Sequence, residues 1–390
     1  MMKIISIIKL VLTVFLSVLV SLYMFETYQI LFNAKNGYEK IIEKYYNETG
    51  KEYDERTKYE IYNDLKKVNK DISVSIYPMS HLKKKEIEIF PLSGISNVNS
   101  IHCNENGYYS IYKSDRYGFN NPDEVWDKYS IDFLLIGDSY THGACVNRPN
   151  DIGSILRKLS NKNVINLAFT GNGPLIQYAV LKEYINPNVK NILWIYYAGN
   201  DLTDLNRELD NEILKKYLSN EKFHQNLISN QSLIDKINKQ TLNNLIVDTQ
   251  FQNLKKNSKL KYKILKFLQL DRTKDKIKVL FLKNNYKVKN LEVFEKILKQ
   301  AKELSLSNNS KLYFIYLPDF YRHRDANYPT GEERIIESLV QKLDIPIINI
   351  QKKFFQNRDK LKYYPFKIRH HYTKEGYLEI TKIIYKFLDN

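Results

Sequence analysis

Cysteine is nearly absent from this 390-residue sequence: there are only two, Cys103 and Cys145. That excludes a small scaffold stapled by several bridges. One pair leaves two readings open, a single disulfide in an exported chain or two small buried side chains. Metal-ligand spacing is lacking too. The seven histidines do not pair with carboxylates or cysteines at ligand intervals, the adjacent His370 and His371 apart, so no metal site is apparent. No glycine-rich phosphate loop of the P-loop type occurs, and nothing calls for a cofactor. There is no internal repeat. Lys and Arg outnumber Asp and Glu by 60 to 44, a formal charge of +16. Yet no basic block is dense enough for a nucleic-acid arm, so nucleic acid is not an expected partner. The charge lends weak support to an anionic surface or glycan. Oligomeric state is left open.

What is present begins with one long apolar run. After Met1-Met2-Lys3, residues Ile4 to Phe25 are interrupted only by Lys9 and small hydroxyl residues. About 20 such residues span a bilayer as a helix. Lys3 and Lys9 at its start and Glu26 after its end predict a cytoplasmic N-terminus, with the rest on the periplasmic or extracytoplasmic side. Leu22, Tyr23 and Met24 stand where a signal peptidase would need small residues. An uncleaved signal-anchor over residues 1–26 is therefore preferred to a cleaved signal peptide, making the protein single-pass. Residues 27–100 are polar and helical in pattern, as in Glu39 to Lys44 and Tyr59 to Tyr62, and read as a stalk or accessory segment. Pro78, Pro91, Gly94 and Asn97 punctuate the approach to the main domain, residues 101–390.

From about residue 130 short apolar runs alternate with amphipathic stretches. The runs 132–136, 164–169, 192–197, 312–317 and 345–350 predict five buried parallel strands. Helical spacing covers 152–159, 175–185, 293–304, 332–343 and 375–388. The alternation predicts an α/β protein, a flavodoxin-like three-layer α/β/α sandwich on a five-stranded parallel sheet. Residues from about 206 to 288 are too long for a loop and read as a helical insertion, either a lid or a packing appendage.

Chemistry-bearing residues cluster at the predicted strand ends. Ser139, in Gly137-Asp138-Ser139, sits between the first strand and a helix, where the helix N-terminus favours negative charge. Gly171 follows the second strand; a glycine there allows close backbone approach. Asn200, in Gly199-Asn200-Asp201, follows the third, and its amide can donate to an oxyanion. His371 precedes the last helix and can serve as general base. Taken singly, each is equally an ordinary turn, cap or surface residue. In a sheet of order 2-1-3-4-5 the first three strands are neighbours, so their carboxyl ends bring Ser139, Gly171 and Asn200 together at the switch point.

These blocks, in this order, resemble the SGNH (GDSL) hydrolase superfamily over roughly residues 114–390, the insertion apart. Gly137-Asp138-Ser139, Gly171, Gly199-Asn200-Asp201 and His371, five residues before Gly376, match its four blocks. The segment Ser114 to Pro122 also resembles one that precedes the first block in exported, glycan-associated members. The resemblance implies a Ser139 nucleophile, a His371 base, and an oxyanion hole of Ser139 N–H, Gly171 N–H and Asn200 amide. Two departures stand out. Ala198 replaces a frequent glycine, and Ile368 stands three residues before the histidine, where the family carries the triad's Asp. Asp319, after the fourth strand, is a weak substitute, and His370 and His142 are decoys. The expected function is a serine esterase removing acyl, most plausibly O-acetyl, groups from an envelope or extracellular glycan. The rivals are a glycan O-acyltransferase with the same acyl-enzyme and, given Ile368, a non-catalytic membrane-tethered binding protein.

Overall fold

The computed structural model describes residues 2–32, 37–84, 87–256, 264, 267–270, 273–274, 289–324, 330–354, 359–368 and 371–389. His370 and most of 257–288 therefore lie outside the described residues. The chain forms two compact units, one of Met1–Gly50 with Ile246–Lys287 and one of Lys51–Leu245 with Val288–Asn390.

The first unit is built on the helix Met2–Phe32. Its stretch Ile5–Gln29 is long and apolar enough to cross a membrane, and Leu10, Val11 and Phe15 are exposed along it. Toward the end of that helix Glu26 is buried and accepts from Thr273 N–H at 2.8 Å and the Thr273 hydroxyl at 2.6 Å. Tyr23 Oη donates to the Leu268 carbonyl at 2.9 Å. Part of the long connection after the third main strand thus packs within the unit of the apolar helix.

The second unit holds two sheets. In the small one, β1 (Ile72–Val74) lies parallel to β2 (Asn99–Ile101), and β2 is antiparallel to β3 (Ile111–Lys113). The large one has five strands: β4 (Ile131–Gly137), β5 (Val164–Asn166), β6 (Val189–Tyr197), β7 (Lys311–Leu317) and β8 (Ile347–Asn349). They are all parallel, in the order β5-β4-β6-β7-β8, which is the expected flavodoxin-like order.

Every second strand residue faces the same side of a sheet, and here both sides are apolar. Leu134, Ile136, Ile192, Trp194, Phe314 and Tyr316 face one core, shared with the helices Pro174–Tyr184, Leu291–Ser307 and Gly331–Lys342. Phe133, Leu135, Leu193, Ile195, Ile315 and Leu317 face the other, closed by the helices Ile152–Ser160 and Lys374–Asp389. Five strands and five long helices coincide closely with the apolar runs and amphipathic stretches of the sequence. Residues 212–245 join the first of these cores, through Leu214, Tyr217, Leu227 and Ile234.

The small sheet is tied to this domain by polar contacts. Asp115 is fully buried and accepts from Tyr117 and Phe119 N–H, Asn121 Nδ2 and Trp126 Nε1, all within 2.9 Å. Burial pushes its carboxyl up to about 6 against the pull of these four donors. Asn121 in turn donates to the Asn166 carbonyl at the end of β5 and accepts from Arg157. Thus the segment 114–122 locks the small sheet against the second strand of the large one.

Candidate active site

The turn after β4 sets the geometry. A Cβ at Gly137 would lie 2.1 Å from Thr141 Oγ1 and 2.7 Å from the Ile195 carbonyl, so only glycine permits so tight a strand-to-helix turn. Asp138 caps the following turn, its carboxylate accepting from Tyr140 N–H at 2.9 Å. Ser139 begins that turn and is buried. Register carries the rest to the same edge. Gly171 follows β5 and Asn200 follows β6, the two neighbours of β4.

Gly171 is left-handed at φ +75°, and an added Cβ would strike Met79 Sδ at 2.1 Å. Met79, from the small-sheet side, therefore roofs this glycine. The loop behind it is anchored by Glu208, a residue the sequence did not single out. Its buried carboxylate accepts from Gly173 N–H at 2.6 Å, Leu175 N–H at 2.9 Å and Ile176 N–H at 3.3 Å, at the start of the helix Pro174–Tyr184. Those amides have no helical acceptor of their own, and a carboxylate is favoured at this end of a helix. Burial nevertheless pushes Glu208 up to about 8. One amide hydrogen of Asn200 goes to Asp204 Oδ2 at 2.6 Å.

His371 lies just before the last helix. Its Nε2 is 2.8 Å from Ser139 Oγ. Both oxygens of Glu105 lie 3.0 Å from its Nδ1, and its backbone N–H donates to Glu105 Oε2 at 2.7 Å. With a carboxylate at Nδ1, that nitrogen carries the proton, leaving the Nε2 lone pair for the serine hydroxyl. Asp138 Oδ2 is a second, longer acceptor for the hydroxyl at 3.4 Å. Burial raises the Asp138 carboxyl to about 6.

The carboxylate on the imidazole is thus Glu105, neither a residue at position 368 nor Asp319. Asp319 Oδ1 accepts from Tyr197 Oη at 3.2 Å, Tyr140 Oη donates to Tyr197 Oη at 3.1 Å, and the Tyr140 ring packs on His371 with centroids 4.8 Å apart. Asp319 is thus linked to the histidine through two tyrosines. His142 turns away from the serine: its Nδ1 meets the Ala168 carbonyl at 2.9 Å and its ring packs on His102 and Phe169. Burial holds it down at about 4, so it is neutral near neutral pH.

Glu105 sits in the loop between β2 and β3. That loop is joined by a disulfide, Cys103–Cys145, with Cα atoms 5.0 Å apart. Of the two open readings of the cysteine pair, the structure adopts the disulfide. Polar atoms of Glu105, Cys145 and His371 lie within 4.8 Å of one another. As a metal-ligand set this trio is poor, because the sulfur is bonded to sulfur and the other two groups are bonded to each other. One conditional signal in the sequence could have led to Glu105. If Cys103 pairs with Cys145, six residues after Ser139, position 105 must come near the nucleophile.

An α/β/α domain with a serine, an imidazole and a carboxylate in line at the carboxyl edge of its sheet has the geometry of an acyl-transfer site. No family model and no curated protein matches this chain. Solved structures do. The chain is similar to the acetyl xylan esterase AlAXEase at 11% identity, covering 66% of this chain and 100% of that one, with a TM-score of 0.36. It is similar to the psychrotrophic esterase EstA from Pseudoalteromonas sp. at 10% identity, covering 66% and 99%, TM-score 0.33. AlinE4, an SGNH-hydrolase family esterase, is similar at 11% identity, covering 67% and 96%, TM-score 0.30.

Proposed function

We propose that this protein is a serine esterase of SGNH type. The observation that carries the reading is the line Ser139 Oγ, His371 Nε2, His371 Nδ1, Glu105, with contacts of 2.8 and 3.0 Å. Ser139 attacks the acyl carbonyl while its proton passes to Nε2, and the Glu105 carboxylate stabilises the imidazolium. Ser139 N–H, Gly171 N–H and the Asn200 amide receive the developing oxyanion. His371 then protonates the departing alkoxide. Water, deprotonated by His371, releases the acid from the acyl-enzyme.

The substrate we infer is an O-acetylated envelope or extracellular glycan, met by a domain held outside the membrane by an uncleaved N-terminal anchor. Support comes from the apolar helix Met2–Phe32 with Lys3 and Lys9 at its start, and from a disulfide, which persists in oxidising compartments. Glu105 removes the motive for a non-catalytic reading, which rested on Ile368. The test is hydrolysis of p-nitrophenyl acetate by the full chain in detergent, beside Ser139→Ala. Turnover lost in the variant is the expected result; equal turnover by both overturns the reading. Diversion of the acyl group to an added glycan hydroxyl in preference to water would make the enzyme a transferase on the same residues.

A further inference from the structure

The disulfide does more than join two strands of chain. Cys103 lies two residues before Glu105, and Cys145 lies two residues past Gly143, the cap of the turn that Ser139 begins. The bond therefore ties the loop carrying the acid to the segment carrying the nucleophile. A second tie runs beside it, from Asn106 Nδ2 to the Cys145 carbonyl at 2.9 Å. Cys145 itself is left-handed at φ +62°, a conformation an L residue adopts against a steric cost. Freed from the bond, this segment has a reason to relax. The rest of the loop is held to its own module, by Asn104 Nδ2 to the Asp54 carbonyl at 2.8 Å and Ser110 N–H to the Cys103 carbonyl at 2.9 Å.

We propose that the Cys103–Cys145 disulfide is the positioning element of Glu105, so that the esterase proposed above works at full rate only when oxidised. The inference rests on that reading of the site. Reduction by a dithiol transfers two electrons and two protons: the S–S bond breaks, Cys103 and Cys145 become thiols, and the dithiol closes to its own disulfide. The loop then loses its covalent tie and Glu105 moves off Nδ1. His371 keeps its place before the last helix but loses the group that fixes its tautomer and stabilises its cation.

The experiment compares the full chain in detergent, oxidised and treated with dithiothreitol, with p-nitrophenyl acetate as substrate, free thiols counted and melting temperature followed in parallel. Glu105→Gln and Ser139→Ala are carried through the same treatment. Reduction of the unaltered protein is expected to lower kcat by about 10²- to 10⁴-fold, to the level of Glu105→Gln, with KM nearly unchanged. In Glu105→Gln the same reduction should change kcat less than about twofold, because the group it displaces is already silent. Asn106→Ala weakens the parallel tie and leaves the bond intact. It should cost about fivefold in the unaltered background and nothing in Glu105→Gln. Equal losses on reduction in both backgrounds would show a merely structural bond and overturn the proposal. So would an unchanged kcat with two free thiols counted. Should the reduced chain not stay folded, the double variant Cys103→Ala, Cys145→Ala, made in the unaltered and the Glu105→Gln backgrounds and assayed below its own melting temperature, decides by the same comparison. Failure of the esterase reading is separate and visible, as activity in Ser139→Ala under oxidising conditions.

Discussion

The large and small sheets of the second unit bring residues to one site by different means. In the large sheet, position follows from repetition: parallel strands in register deliver Ser139, Gly171 and Asn200 to one edge because each follows a strand end. In the small sheet, strands of three residues close over a small core of Ile61, Ile72 and Ile101, and the loop bearing Glu105 is placed by individual ties, the disulfide and single hydrogen bonds. Register is robust to one substitution, whereas a set of single ties is not. Damage to the small module should therefore reach the chemistry without melting the large sheet.

The comparison can be broken at its common centre. His371→Ala, which removes the proposed base, is expected to lower kcat by about 10⁴-fold or more with little change in melting temperature, read by ester hydrolysis and calorimetry. It is sharpened by Glu105→Gln. A loss of about 10²- to 10⁴-fold, with melting unchanged, would assign the acid to the small module. Asn200→Ala on the large-sheet side should cost about 10²- to 10³-fold, the size expected for one oxyanion donor. Glu208→Ala should mainly destabilise, by about 1–3 kcal/mol in urea, since three amides of a buried helix start lose their acceptor.

The smallest effect concerns Asp138. Its folded value, about 6, lies above that of an unfolded aspartate, so the folded chain holds the extra proton between those values and stability falls as pH rises through that window. Asp138→Asn keeps an acceptor for Tyr140 N–H and removes the ionisation. Urea midpoints from about pH 4 to about pH 7 should then flatten.

The large sheet was legible because each strand is a continuous apolar run with a turn after it, and because Ser139, Gly171, Asn200 and His371 fall at run boundaries. The Ser139–His371 contact was legible only from the four blocks taken together and the family they resemble, since either histidine alone reads as a surface residue. Glu105 was not: it lies in a short loop among asparagines and a glycine, without periodicity, and its partner is 266 residues away. Asp319 looked plausible because it ends a strand beside the right edge, but two tyrosines intervene. Glu208 was hidden for another reason. A glutamate on an amphipathic helix is ordinarily solvated, and only the tertiary approach of another helix start buries this one.

The hairpin that bears Glu105 also separates the limits of the fold from the limits of the chemistry. Cut near residue 114, ahead of the segment that precedes the first motif block, the chain would still contain every strand of the large sheet and Ser139, Gly171, Asn200 and His371. It would be a whole architecture with an unfinished relay. With Glu105 on its Nδ1, the imidazole needs no carboxylate from position 368, where an isoleucine stands.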